Sequence, residues 1–293
     1  MKIGLGLAGF FTIPIETAIE TIANIGYDGI EVYVWKNYIF DSSVLDPDLL
    51  SDKALKSMLD RIATSAKKFN LEISSLLALD INFGYRAPTE VNRIQHIKFT
   101  KQSIDMAEVL GTKVVNVTSG LPLEGYTRKQ SWEKLIDSVG SYVDYASGKG
   151  ITVAMEPHAP FRGQDMMVDS LEALLELLAT IDSKSLAVNF DPSHFSIRGW
   201  DVPAAIRKLS NHIIHTHFKG SRGLIPEYNW YIPGEYPDDV DAIKEFALAL
   251  KEVHYDGFIS VEIANSRRTD ILFNPKSAAQ LAYKTFSSVL DQF

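Results

Sequence analysis

Four polar side chains close short apolar runs in the second half of the chain, namely Glu156, Asp191, His217 and Glu262. If these runs are parallel strands of one barrel, their carboxyl ends share a rim and the four side chains meet at one spot. Three carboxylates grouped without a counter-charge raise each other's pKa and resist ionising together. A divalent cation removes that conflict. The mixed oxygen and nitrogen donors suit Mn²⁺, Mg²⁺ or Co²⁺, with Zn²⁺ as a further candidate, so the sequence predicts one divalent metal ion held by all four.

Other residues near these strand ends could contact a substrate. His194 follows Asp191 by three residues, and Lys219 follows His217 by two. His215 shares a strand face with His217, because strand side chains repeat every two residues, but we expect it to be a hydrogen-bonded residue deeper in the core. The predicted substrate contacts are His194, His158, Lys219, Arg222, Glu31 and Trp35. Each of these also has an ordinary structural interpretation as a helix cap, a solvated loop residue or part of the core.

Apolar runs and amphipathic segments alternate along the whole chain, which predicts parallel strands joined by helices. The predicted strands are Lys2 to Leu7, Gly29 to Val34, Glu72 to Leu77, Lys113 to Thr118, Thr152 to Met155, Leu186 to Phe190, Ile213 to His217 and Phe258 to Glu262. Helix ends are predicted at Gly26, Gly111 and Gly148, and helix starts at Thr12, Asp169 and Asp201.

Eight such units without a linker favour a closed α/β (β/α)8 TIM barrel, because closure leaves no strand edge exposed. We therefore predict a single domain over residues 1–293. The longest stretch without a periodic pattern is Lys219 to Asp239, and it is predicted to be an irregular wall or lid over the active-site face.

The amino-acid composition argues against several classes of function. A formal charge of −8 spread along the chain gives no broad attraction for phosphate backbones, so nucleic acid is a poor partner. The absence of cysteine excludes thiol nucleophiles and cysteine-bound zinc, and it suits a cytoplasmic location. No apolar run approaches the roughly 18 residues of a membrane span, and the run Ile3 to Ile15 is interpreted as a buried first strand. Self-association into a homo-oligomer stays open.

A glycine pattern near the start is a weaker signal. Gly4, Gly6 and Gly9 have the spacing of a dinucleotide-binding loop. Only three residues precede them, which is too short for the strand that such a loop must follow. The pattern therefore gives little support to a nicotinamide-dependent dehydrogenase.

Taken together, the motifs resemble the xylose isomerase-like barrel superfamily, in particular its sugar phosphate isomerase/epimerase branch. They are Gly26-Tyr27-Asp28-Gly29-Ile30-Glu31, Ala107-Glu108-Val109-Leu110-Gly111, Met155-Glu156-Pro157-His158, Asp191-Pro192-Ser193-His194, His215-Thr216-His217-Phe218-Lys219 and Val261-Glu262. The resemblance implies a metal bound by the same four ligands, His194 as a substrate contact, and Glu156 and Glu262 as an acid/base pair. Gly220 departs from the pattern, since many relatives have an aspartate there. The motifs are specific for the superfamily and not for a substrate.

The function expected on this basis is that of a metal-dependent isomerase or epimerase of carbohydrate metabolism, acting on a small ketose or related sugar. One glutamate removes a proton beside the carbonyl to give an enediolate, and the other returns a proton. Alternatives are a dehydratase acting on a keto-inositol or keto-sugar, an endonuclease IV-like hydrolase, or a non-catalytic metal-binding barrel. A hydrolase of that kind needs more histidines than the strand ends near Glu31 and Asp80 supply.

Overall fold

The structure of the chain is a computed structural model that describes residues 1–10, 13–35, 53–79, 88–160, 163–263 and 273–293. Its strands are β1 (Lys2–Gly6), β2 (Gly29–Trp35), β3 (Glu72–Leu79), β4 (Val114–Thr118), β5 (Thr152–Glu156), β6 (Leu186–Phe190), β7 (Ile213–Phe218), β8 (Gly220–Leu224), β9 (Glu227–Tyr231) and β10 (Phe258–Val261). Within the described ranges, eight strands form a closed barrel in the order β1-β10-β7-β6-β5-β4-β3-β2. The predicted α/β barrel is confirmed.

Helices connect the barrel strands. They are α1 (Ile15–Ile25), α2 (Lys53–Lys68), α3 (Glu90–Leu110), α4 (Arg128–Ser147), α5 (Leu171–Ile181), α6 (Pro192–Ser196), α7 (Val202–Leu209), α8 (Asp239–Glu252) and α9 (Pro275–Leu290), and a 3-10 turn spans Leu7–Phe10. No helix in the described part of the chain combines the length and apolar character that crossing a membrane requires.

Helix termini follow the local sequence closely. The three predicted terminal glycines, Gly26, Gly111 and Gly148, do follow α1, α3 and α4. At the start of α7 the side chain of Asp201 accepts a backbone hydrogen bond, as predicted. The predicted start at Asp169 is wrong by one residue, because the hydroxyl of Ser170 caps α5 instead. Thr12 lies outside the described residues.

By its internal contacts the chain divides into two compact units. Unit 1 comprises Met1–Val32, Thr64–Ser74 and Phe190–Phe293, and unit 2 comprises Tyr33–Ala63 and Ser75–Asn189. Most of the candidate site residues belong to unit 1. Trp35, Glu156 and His158 belong to unit 2.

In unit 1, aromatic packing supports the strands that carry the candidate site. The ring of Phe190, at the end of β6, stacks on Phe195 of α6 with centroids 4.7 Å apart and on Phe246 of α8 at 6.3 Å. Phe218, at the end of β7, lies 5.5 Å from Phe246. Because such packing restricts backbone movement, the polar residues that follow β6 and β7 start from fixed positions.

In unit 2, the barrel strands are in register and the outer helices are joined by a polar contact. β4 pairs with β5 up to Thr118 opposite Glu156. On the outside, Arg93 of α3 donates a 2.8 Å hydrogen bond to Ser138 of α4 and pairs with Glu90 at 2.7 Å. The guanidinium therefore ties the two helices together.

The segment after β7 contains a hairpin. β8 and β9 pair antiparallel, with Gly220 opposite Tyr231. The prediction of an irregular stretch from Lys219 to Asp239 is therefore wrong for these strands. A Cβ at position 220 would lie 2.3 Å from the Tyr231 ring, so the close pairing requires glycine there, and Gly223 has a φ of +81°. Glycine at these two positions permits the hairpin.

A buried carboxylate anchors the far end of this hairpin to α8. The carboxylate of Asp239 accepts hydrogen bonds from the Tyr231 hydroxyl at 2.5 Å, from the Gly234 N–H at 2.7 Å and from the Tyr236 N–H at 3.1 Å. Burial, together with Asp239, raises the pKa of Tyr231 well above its usual range. The phenol consequently stays protonated and continues to donate.

Candidate metal and substrate site

Polar side chains of unit 1 come together where barrel strands end. Asp191 directly follows β6, Lys219 directly follows β7, and Glu262 directly follows β10. His217 lies within β7, where it pairs with Ser260 of β10. Asp191, His217 and Lys219 are buried, and Glu262 is partly exposed. Carboxylates and an imidazole are thus concentrated in a largely water-excluded space.

The two carboxylate oxygens of Asp191 have different partners. Oδ1 accepts a 2.8 Å hydrogen bond from the Ser193 N–H and caps the short helix α6. Oδ2 lies 2.6 Å from the ammonium of Lys219. The cap fixes the orientation of the carboxylate, so that one oxygen is directed to the polar cluster.

Lys219 bridges acids that belong to different strands. Its Nζ lies 2.6 Å from Asp191 Oδ2, 2.7 Å from Glu262 Oε2 and 3.2 Å from His194 Nε2. The ring of Trp230 in β9 lies 5.0 Å from the same Nζ, within range of a cation–π interaction. A buried ammonium is tolerated because two carboxylates compensate its charge.

The imidazole of His217 also contacts a buried carboxylate, that of Glu31. Its Nε2 lies 2.8 Å from Oε2 of Glu31, and Nε2 of His215 lies 3.8 Å from Oε1. The three side chains are essentially inaccessible to solvent. The 2.8 Å approach places the imidazole of His217 directly against the carboxylate of Glu31, which restricts how the ring can turn. A carboxylate beside a histidine in this way can orient the ring for metal binding.

The donor atoms fit a divalent ion. Asp191, His217 and Glu262 each offer a ligand atom, and these atoms lie within 4.8 Å of one another. Two carboxylates and one imidazole are hard to borderline donors, which suits Mn²⁺, Mg²⁺, Co²⁺ or Zn²⁺. Glu31, His215 and His217 form a second group that meets the same distance limit. Since both groups contain His217, we assign Glu31 to orienting the histidine.

Glu156 is the last residue of β5 and is buried in unit 2. Its end position on a barrel strand is the one predicted from the sequence. Its part in binding a metal or moving a proton stays a prediction.

His194 and Trp230 form the other side of the cluster. Nε2 of His194 lies 3.7 Å from Asp191 Oδ2, and its ring meets that of Trp230 edge-on with centroids 5.6 Å apart. Tyr228 of β9 packs on Trp230 at 5.2 Å. The hairpin therefore brings an aromatic surface next to polar groups, an arrangement that suits the apolar face and the hydroxyls of a sugar.

The other predicted substrate contacts lie in different surroundings. His158 is half-buried, and its Nδ1 is 2.8 Å from the backbone oxygen of Ala159. Arg222 of β8 is exposed, pairs with Asp238 and lies 4.0 Å from the ring of Tyr236. Their roles toward a substrate stay predictions. The side chain of Trp35 and the residue Asp80 lie outside the described part of the structure.

Two relationships in the site do not follow from the sequence pattern. The sequence predicts Glu31 and Lys219 only as substrate contacts, whereas Glu31 contacts His217, and Lys219 contacts the two acids. One available signal was spacing: His215, His217 and Lys219 alternate, so an extended chain directs them to one side.

The sequence pattern of the xylose isomerase-like TIM barrel family matches residues 19–286. The chain belongs to this family. Membership agrees with the closed parallel barrel and with the position of the polar cluster at its strand ends.

Individual members are distant from this chain. Fructoselysine 3-epimerase of Shigella flexneri is 23% identical over 296 residues, which cover 100% of this chain and 99% of that protein. The crystal structure of the IOLI protein with a zinc atom has a TM-score of 0.75 at 21% identity and covers 100% of this chain and 99% of its own. That of 3-keto-D-glucoside 4-epimerase, YcjR, from E. coli has a TM-score of 0.73 at 18% identity, with 99% of each chain covered. Both structures share the fold of this xylose isomerase-like protein.

Proposed function

We propose that this protein is a divalent-metal-dependent sugar epimerase or isomerase that acts on the carbon next to a carbonyl group. The observation that carries the proposal is the approach of ligand atoms from Asp191, His217 and Glu262 to within 4.8 Å of one another. Two carboxylates and an imidazole at this spacing supply the oxygen and nitrogen donors that a divalent ion prefers.

Glu156 is the proposed fourth ligand. It ends β5, and β5 neighbours β6, the strand that leads into Asp191, in the order of the barrel. Strand ends of such barrels share one rim. Mn²⁺, Mg²⁺ and Co²⁺ are the preferred ions, and Zn²⁺ is included because the similar IOLI protein was crystallised with zinc.

The ion would polarise the substrate carbonyl as a Lewis acid and stabilise negative charge that develops on its oxygen. Glu262 and Glu156 are the proposed acid/base pair: one carboxylate removes the proton beside the carbonyl, and the other delivers one. His194 and Lys219 would bind substrate hydroxyls, and Trp230 would pack on the face of the sugar.

The position of proton return decides the product. Return to the opposite face of the same carbon is epimerisation, and return to the neighbouring carbon is isomerisation. The similarity to fructoselysine 3-epimerase and to a 3-keto-D-glucoside 4-epimerase favours epimerisation of a sugar that carries a keto group. If, after removal of the proton beside the carbonyl, a neighbouring hydroxyl group took up a proton and left as water, the reaction would be dehydration, which is the alternative outcome.

Solvent deuterium exchange tests this function. The metal-loaded enzyme is incubated in D₂O with a panel of ketoses, keto-glycosides and keto-inositols, and each sugar is analysed by mass spectrometry and NMR. We expect deuterium at one carbon beside the carbonyl of at least one sugar, together with its epimer or isomer. A product that has lost one water would assign the dehydratase alternative.

Two variants and a control sharpen the test. Glu262→Gln and Glu156→Gln should each lower exchange on the order of 10²- to 10⁴-fold, because each removes a carboxylate that transfers a proton. Glu245→Gln, at an exposed site on α8, should exchange as the wild type does. Metal bound without exchange into any sugar of the panel contradicts the proposal and favours a non-catalytic metal-binding barrel.

A further inference from the structure

We infer that Lys219 and the divalent ion are alternative partners of Asp191 and Glu262, so that Lys219 sets how tightly the metal binds. The inference rests on the metal site of the proposed function. It concerns a residue that would otherwise be assigned only to the substrate.

The contacts of Lys219 carry the argument. Its ammonium lies 2.6 Å from Asp191 Oδ2 and 2.7 Å from Glu262 Oε2, distances typical of charge-assisted hydrogen bonds. These two carboxylates also belong to the group that can share an ion with His217. The same acids therefore serve as partners of the ammonium and as metal ligands.

Asp191 offers little freedom to accommodate both cations. Oδ1 accepts a 2.8 Å hydrogen bond from the Ser193 N–H, and this turns Oδ2 toward the cluster, so the ammonium and a metal ion would share that oxygen. A divalent ion beside an ammonium in a buried site is strongly repelled, because the low dielectric weakens screening. Metal binding must consequently release Lys219 from at least one of the two carboxylates.

The ammonium of Lys219, once released from a carboxylate, would still have polar and aromatic neighbours. The four-carbon stem of lysine is flexible, and the His194 ring and the Trp230 face already lie next to Nζ at 3.2 Å and 5.0 Å. Movement toward this side would keep the cation–π contact while the acids turn to the ion. The ammonium would then lie among the residues proposed to contact sugar hydroxyls.

Calorimetric titration with Mn²⁺ tests the competition. Metal-stripped wild type, Lys219→Met and the matched control Lys208→Met, at an exposed site on α7, are compared. We expect Lys219→Met to bind Mn²⁺ about tenfold or more tightly than wild type, since the competing charge is gone. Lys208→Met should match wild type.

Thermal unfolding gives a second readout. Without metal, Lys219→Met should melt below wild type, because Asp191 and Glu262 lose their counter-ion, and saturating Mn²⁺ should close most of that gap. Lys219→Gln removes the charge but keeps N–H donors, and it provides the same comparison if the methionine variant fails to fold.

Two results would overturn the inference in distinguishable ways. If the folded variants bind Mn²⁺ no more tightly than wild type, competition by Lys219 is wrong while the proposed metal site stands. If neither wild type nor any variant binds Mn²⁺, Mg²⁺, Co²⁺ or Zn²⁺, the metal site itself is wrong and the inference falls with it.

Discussion

Nε2 of His217 lies 2.8 Å from Oε2 of Glu31, and both side chains are fully buried. The carboxylate of Glu31 therefore lies directly against the imidazole of a proposed metal ligand and restricts the orientation of its ring. Glu31 acts through the histidine in this arrangement and is a positioning residue.

Replacing Glu31 by glutamine should weaken metal binding. The amide is neutral and can present either an oxygen or an NH₂ group to His217, so the ring loses its fixed orientation and some of its basicity. We expect the Kd for Mn²⁺ to rise about 10- to 100-fold, as is usual when a carboxylate behind a histidine ligand is lost. Calorimetry with Glu245→Gln as control measures this, and an unchanged Kd would contradict the orienting role.

Trp230 should affect substrate binding more than chemistry. Its ring lies beside His194 and Lys219, and Trp230→Ala removes the aromatic surface but neither carboxylate of the acid/base pair. We expect KM for the sugar to rise roughly tenfold, in line with loss of an aromatic contact, with a smaller change in kcat. Trp200→Phe, at a half-exposed ring on Phe195, is the control. A fall in kcat with an unchanged KM would argue against a role of Trp230 in binding the sugar.

Asp239 should be important for the stability of the hairpin. Asp239→Asn replaces an acceptor of three hydrogen bonds by an amide that cannot accept them all. We expect a loss of about 1–3 kcal/mol in the free energy of unfolding and faster hydrogen exchange at residues 231–236. Asp241→Asn, at an exposed site in the same first turn of α8, should have little effect. Equal stability of the two variants would count against the anchor.

The ion pair between Glu90 and Arg93 predicts a defined acid dependence. A hydrogen bond from Arg93 lowers the pKa of Glu90 below its ordinary value of 4.5. A lowered carboxyl pKa contributes stability that is complete above the unfolded-state value and is lost as the pH falls through the folded-state value. Glu90→Gln should therefore flatten the pH dependence of the free energy of unfolding below about pH 4.5.

Urea unfolding at several pH values measures this effect, with Glu133→Gln at an exposed site of α4 as control. Because Glu90 is partly exposed, the effect should be small. Identical pH profiles for wild type and Glu90→Gln would contradict the pKa shift.

The barrel could be predicted from sequence because its signals are local. Apolar runs with β-branched residues, such as Val114–Thr118, and amphipathic segments with terminal glycines each specify one element. Active sites of such barrels lie at the C-terminal ends of the strands, and this property predicted Asp191 and His217 as residues of the site. These inferences need only neighbours in the chain and a general property of barrels.

Contacts between distant residues could not be predicted in this way. Glu31 meets His217 only because β2 and β7 close into the same barrel, and no local pattern states which partner a buried acid will have. The hairpin was not predicted because Lys219 to Asp239 shows no periodic pattern, whereas the pairing of Gly220 with Tyr231 depends on close packing between two strands. Asp169 and Ser170 are both suitable residues to cap α5. Which of them does so depends on a shift of the helix start by one residue, and the local sequence does not fix that shift.

The proposed function requires one ion that is shared by side chains from several strand ends. Anomalous diffraction at the manganese edge from crystals soaked in Mn²⁺ would locate such an ion. We expect a single strong peak bound by Asp191, His217 and Glu262, with Glu156 as the fourth protein ligand. No peak there, or a peak held by Glu31 and His215 without Glu262, would contradict it.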